Sequence, residues 1–219
     1  MDIEHLFTRA GYAMIERRCA RILVSLVAGT LLLPLAELQG QRRGVPDLRN
    51  ASYLGLGYVG NIPDAMVGGA ILALTPKVFG GAGLYADVKF SPTTPARAEE
   101  YDSTITVDQA DNQYADLLVV EESAWVTVNL ALVYAVTAEL ALYAGAGYAR
   151  ENHYRQYFDD AQIRGLEGFY WIRDPAASGG RVNALGGVLL RAGRHVAFQM
   201  GLEAQPRGAD VGVMITFPL

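Results

Sequence analysis

Alternation organises most of this chain. From Trp125 to Val136 the even positions are Val126, Val128, Leu130, Leu132, Tyr134 and Val136, and the odd ones are Trp125, Thr127, Asn129, Ala131, Val133 and Ala135. A repeat of two marks a β-strand with unlike faces, here one broad and oily and one smaller and partly polar. Segment 138–150 behaves alike, with Leu140, Leu142 and Tyr148 on one face and Glu139, Tyr143 and Gly147 on the other. Segments 81–91, 195–204 and 210–217 repeat the pattern, and 51–59, 66–74 and 181–191 follow it less regularly. The pattern predicts eight strands.

The connections between these strands alternate in length. Those at 75–80, 137 and 192–194 are short, whereas 92–124 and 151–180 are very long. In an antiparallel meander alternate connections lie at the same end. Both long loops therefore fall on one side and the tightest turns on the other, the asymmetry of barrels that cross an outer membrane. Tyr58, Phe90 and Tyr148 on the oily faces sit toward the long-loop end, and Tyr134 and Phe217 toward the turn end, as two interfacial girdles would.

Alternation alone does not separate a membrane barrel from a soluble one, because the two differ in which face points out. The polar faces here carry small residues, Gly and scattered charges rather than the Lys, Glu and Thr of a water-facing exterior. That suits the inside of a narrow barrel, which eight strands leave just wide enough for side chains to fill. The residues placed inside are Asp87, Lys89, Asn129, Glu139, Asn183, Arg191, His195, Gln199 and Glu203. Buried charges must be paired, so these are expected to form a salt-bridged plug; the rival is a proton or ion path or a catalytic cluster.

The start of the chain reads differently. Arg17, Arg18 and Arg21 precede fifteen uncharged residues, 22–36, and a polar stretch follows. This is the order of a secretory signal peptide, and the apolar run is shorter than the roughly 20 residues that span a bilayer. Residues 1–40 are assigned to this leader, with Met14 as an alternative start and cleavage after Gly40 or, failing that, Ala36. The single Cys, Cys19, would leave with it. The expected fold is thus all-β: an eight-stranded antiparallel up-and-down transmembrane β-barrel over 41–219, preceded by a cleavable helical signal peptide.

Composition agrees with this. Charged residues are 19% against roughly 25% in soluble domains, and 24 Gly and 12 Tyr fit strands, turns and aromatic anchors. A net charge of −5 without a basic stripe gives no sign of a nucleic-acid partner, and none is expected.

The strands YLGLGYVG, FGGAGLYADVKF and LALYAGAGYAR, together with the closing DVGVMITFPL, resemble the small outer-membrane protein β-barrel domain family over roughly 45–219. The resemblance implies residence in the outer membrane with its lipid as partner, and a last strand read by the barrel-assembly machinery. Family members usually end in an aromatic; here Pro218 and Leu219 follow Phe217.

Candidate chemistry is sparse. No phosphate-binding Gly loop, zinc spacing or nucleophile elbow occurs. His195 has no nearby Ser and adjoins a short turn, and His153 is a lone loop histidine. No catalytic residue, metal site or cofactor is expected. Loop 92–124 is acidic without EF-hand spacing and reads as solvated. Loop 151–180 holds Tyr154, Tyr157, Phe158, Phe169, Tyr170 and Trp171. These are either exposed binding anchors or the packing of a hairpin extension above the membrane. The expected function is a non-enzymatic structural or surface-interaction barrel, with a narrow channel or transporter, or a soluble secreted ligand-binding barrel, as alternatives.

Overall fold

The computed structural model describes residues 47–49, 51–75, 82–165 and 167–219. The leader assigned to 1–40 and most of the connection after Thr75 lie outside the described residues.

Eight strands close into one antiparallel barrel in sequence order: β1 Tyr53–Ile62, β2 Met66–Leu74, β3 Ala82–Phe90, β4 Leu117–Ala135, β5 Leu140–Phe158, β6 Phe169–Arg191, β7 Val196–Ala204 and β8 Arg207–Pro218. β1 pairs with β8 from Tyr53↔Pro218 to Ile62↔Ala209, so neither terminal strand leaves an open edge. Closure satisfies backbone groups that hydrocarbon could not.

The register sends the two sequence faces to opposite sides. Leu130 is 57% exposed and Leu132 69% exposed, and Leu142 joins them outside, with Leu140 half-buried beside them. Leu54, Leu56, Ile71, Leu84, Val213 and Ile215 continue the oily belt around the barrel. Odd positions of the same strands point in: Ala131, Val133, Ala141 and Tyr143 are buried.

The interior is filled in layers. At the short-turn end Tyr53, Leu72, Leu74, Val133, Leu189 and Met214 form an apolar cluster. Their recess holds space for roughly one water-sized sphere. At the long-loop end Met66, Trp125 and Ala149 pack together. Glycine makes room between these layers. A Cβ at Gly201 would collide with the Tyr143 hydroxyl, and one at Gly147 would collide with the Asn129 amide oxygen.

Three strands are longer than their alternation predicts. Residues 117–124, 151–158 and 169–180, expected to be loop, continue β4, β5 and β6 as a three-stranded sheet. At ~3.3 Å per residue, 117–124 carry it roughly 25 Å past the barrel rim. The period-two signal fades there because both faces of this sheet carry packed aromatic and polar side chains, so alternate residues do not differ in kind. The true connections are shorter: 91–116, with helical turns at Pro95–Arg97 and Gln109–Tyr114, and 159–168. Both remain at the same end, opposite the turns at 136–139 and 192–195.

Candidate functional site

Strand pairing assembles a charged cluster inside the barrel. Lys89 and Asp87 alternate on β3 and both point in, fully buried. The Lys89 ammonium lies 3.1 Å from Asp87, 3.0 Å from Glu203 of β7 and 3.2 Å from Asp210 of β8. Three carboxylates thus share one ammonium. Their remaining charge is met by amides. Asn61 donates to Glu203 and Asp210, both at 3.1 Å. Asn129 donates to Asp87 at 2.9 Å and to Glu203 at 2.8 Å. Asn183 donates to Glu203 and, at 2.8 Å, to the Asn129 carbonyl oxygen. Amide donation of this kind lowers the cost of burying the charges, while Asp87 Oδ2 and Asn61 Oδ1 are left without a hydrogen-bond partner.

Below it, toward the short turns, Tyr85 donates to Gln199 at 2.9 Å, and Gln199 donates to Tyr143 at 3.1 Å. The two tyrosine rings lie 5.1 Å apart. Arg191 is buried but separate. Its guanidinium bonds the Tyr53 hydroxyl and, at 2.9 Å, the Ala138 carbonyl oxygen.

Seven of the nine residues placed inside by alternation are therefore buried in the barrel: Asp87, Lys89, Asn129, Asn183, Arg191, Gln199 and Glu203. Glu139 and His195 are not. Both share the inward parity of their strands, but both lie in turns before the first strand residue and are exposed at the rim. There Thr137 Oγ1 accepts the Glu139 and Leu140 amides, and His195 Nδ1 meets the Thr216 carbonyl oxygen at 3.1 Å. Asn61, Asp210, Tyr85 and Tyr143 were missed. Parity alone would have found Tyr85, Tyr143 and Asp210, while Asn61 falls beyond the predicted end of its strand at 59.

The protruding sheet has its own core. On the face continuous with the lumen, Tyr157, Tyr170 and Ile172 pack with Ala110. On the other, Tyr154, Trp171 and Ala124 pack with Ala98 and Tyr101. Segment 91–116 thus covers parts of both faces. It crosses at the free edge of β6, where Trp171 N donates to Glu100 O and Asp102 N to Trp171 O, both at 2.8 Å. Of the six aromatic candidates, Tyr154, Tyr157, Tyr170 and Trp171 are buried, and Phe158 and Phe169 pair half-buried at 5.0 Å. They hold the extension together and do not stand free as anchors.

Charge pins the same face. Arg155 lies 3.0 Å from Glu121, 3.2 Å from Asp174 and 3.6 Å from Asp111. Tyr157 donates to Asp111 at 2.7 Å, and Tyr170 donates to Asp116. Burial, then the Asp111 contact, pushes the Tyr157 phenol up to about 12, and burial with Asp116 raises Tyr170 in the same direction. Nearer the rim, Ser123 donates to Glu151 at 2.7 Å and lies 3.1 Å from His153 Nδ1, while His153 Nε2 is 3.8 Å from Glu121. The Ser123 proton is thus directed at a carboxylate, not held for transfer to the imidazole. Among the described residues no group of His, Cys, Asp or Glu is arranged to hold a metal ion.

No family model and no curated protein matches this chain. Solved structures do. Ail, the attachment invasion locus protein of Yersinia pestis, is 11% identical, with 75% of this chain and 93% of that one covered at a TM-score of 0.41. The N-terminal β-barrel domain of Pseudomonas aeruginosa OprF is 12% identical over 75% and 97%, at 0.41. A major outer membrane protein from Thermus thermophilus is 14% identical over 77% and 99%, at 0.42. The chain is similar to these small barrels in fold.

Proposed function

We propose that this protein is a non-enzymatic outer-membrane barrel whose transmembrane part is a sealed anchor and whose working surface is the sheet that β4, β5 and β6 raise outside. One observation carries this reading: the oily strand faces point outward around a closed ladder, and the charged side chains point inward, where Lys89 lies among Asp87, Glu203 and Asp210. A water-soluble barrel has the opposite arrangement. The layered interior supports an anchor over a channel, since apolar side chains pack on both sides of the charge cluster.

Export by residues 1–40, removal of that leader, and insertion through the barrel-assembly machinery by way of Arg207–Pro218 belong to the same reading. The test is fractionation of cells expressing the full chain, with the mass of the mature protein. The protein is expected in the outer-membrane fraction, soluble only in detergent, and shortened by about 40 residues, as a cleaved leader predicts. Recovery in the soluble periplasmic or culture fraction would overturn it. In planar bilayers the purified protein should show no steady conductance.

A further inference from the structure

The chain crosses one mouth of the barrel before it enters the wall. Leu48 is 5% exposed, and its amide donates to the Ala138 carbonyl oxygen at 3.3 Å. Ala138 lies in the turn between β4 and β5, whereas the chain enters the wall at β1, on the far side of the closed ring. The approach to β1 is therefore a strap over the short-turn end. The Ala51 amide closes a turn onto the Asp47 carbonyl oxygen at 3.0 Å. Arg49 donates to the Asp47 carboxylate from its backbone amide at 2.8 Å and from its guanidinium at 2.7 Å.

Under the strap is a recess lined by Leu48, Leu72, Leu74, Val133, Leu189 and Arg191. Arg191 is 3% exposed. One of its terminal nitrogens donates to the Tyr53 hydroxyl and the other to the Ala138 carbonyl oxygen at 2.9 Å, while Nε has no hydrogen-bond partner. A buried N–H left unpaired is costly, the more so on a charged group. The strap brings the nearby negative charge: Arg49, and less strongly Arg191, holds the Asp47 carboxyl below its usual range.

We propose that this mouth is a binding site for a short apolar carboxylate, and that the strap is its displaceable built-in occupant. The recess calls for two groups together, an apolar one against Leu72, Leu74, Val133 and Leu189 and an acceptor for Arg191. The strap supplies both incompletely: an isobutyl group from Leu48, and a carboxylate from Asp47 that does not reach Nε. A ligand carrying both on one short chain meets Nε directly, in the bidentate geometry that guanidinium and carboxylate favour. Sign and size follow. Arg191 repels a cation. With Leu48 in place the recess holds roughly one water-sized sphere, so the apolar part cannot much exceed the isobutyl group it replaces. Closure of the strap lowers the apparent affinity by the fraction of molecules in which it is open. This inference goes beyond the anchor reading and does not depend on which compartment the mouth faces.

The test uses the full chain in lipid nanodiscs and isovalerate, which carries the Leu48 isobutyl group on a carboxylate. Acetate, isoamyl alcohol and isoamylamine are the controls. Ligand-observed NMR titration reads binding, and amide hydrogen exchange at Leu48 and Ala51 reads the strap. Isovalerate should bind and speed exchange at both amides, and each control should bind at least about tenfold more weakly. Leu48→Ala, outside the strands, should tighten isovalerate about tenfold, because the strap no longer competes. Arg191→Met should bind isovalerate no better than isoamyl alcohol. Arg191→Lys, which keeps the charge and loses the fork, should fall between Arg191→Met and the parent. The ligand series and Leu48→Ala decide the question even where Arg191→Met does not fold. The proposal is overturned if isovalerate binds neither the parent nor Leu48→Ala, if alcohol and carboxylate bind alike, if Leu48→Ala binds no more tightly, or if binding leaves exchange at the strap unchanged. A detergent-dependent, non-conducting barrel that fails these tests overturns this site alone.

Discussion

Replacing Lys89 with Met takes away the ammonium that Asp87, Glu203 and Asp210 share while keeping most of the side-chain volume. At about 3.1 Å and an effective dielectric of about 20, each of these contacts has a gross attraction of about 5 kcal/mol. The net value is far smaller, because burying the charges costs several kcal/mol per ion and the three carboxylates repel one another. What the substitution exposes is an imbalance. Asn61, Asn129 and Asn183 still donate to the carboxylates, but no cation remains within the cluster's shell of contacts. Breaking a buried pair from one side costs about 3–5 kcal/mol, and three carboxylates are stranded together, so a loss of about 4 kcal/mol is expected. Urea unfolding in short-chain lipid vesicles, followed by tryptophan fluorescence, measures it. The double variant Lys89→Met/Asp210→Asn should lose less than the sum of its single variants by at least about 1 kcal/mol, since the residues touch. A Lys89→Met variant within about 1 kcal/mol of the parent, or strictly additive singles, would refute the argument that the lumen is held by this cluster.

Three further outcomes follow from the outer face and the protruding sheet. Leu130→Arg places a charge on the lipid-facing side of the barrel near mid-height, and should cost about 2–4 kcal/mol in the same unfolding assay; a neutral result would mean that this face does not meet lipid. Arg155→Met removes the cation held by Glu121, Asp174 and Asp111. It should speed amide exchange and proteolysis at 153–174 while leaving the barrel's unfolding midpoint unchanged. Tyr157 is raised from the usual 10.0 to about 12 by burial and the Asp111 contact. Its neutral phenol therefore stabilises the sheet fully below pH 10 and loses that contribution as pH rises through about 12. Phenolate absorbance of the parent minus that of Tyr157→Phe should show this late titration, and an ordinary midpoint near 10 would contradict the packing described.

The barrel itself was legible in residue order. Eight alternating segments, the outward set of Leu130, Leu132, Leu140 and Leu142, of which Leu140 is half-buried, and the placement of both long connections at one end were all read from period two and connection length, because an oily outer surface and a filled lumen enforce unlike faces. The same rule found most of the interior, Lys89 and Glu203 included. It failed where its physical cause ends. Glu139 and His195 keep inward parity, but they sit in turns at the rim, where a charged side chain reaches water. Residues 117–124, 151–158 and 169–180 lost their strand signal because both faces of their sheet carry packed aromatic and polar side chains, and only pairing with neighbours makes them strands. Which carboxylates gather on Lys89 also lay beyond the sequence. Asp87, Glu203 and Asp210 come from three strands more than a hundred residues apart at the extremes, and closure of β1 onto β8 brings them to one ammonium. Nor could alternation say which edge of the outer sheet is covered: the path of 91–116 across Trp171 decides that, and so leaves β4 open.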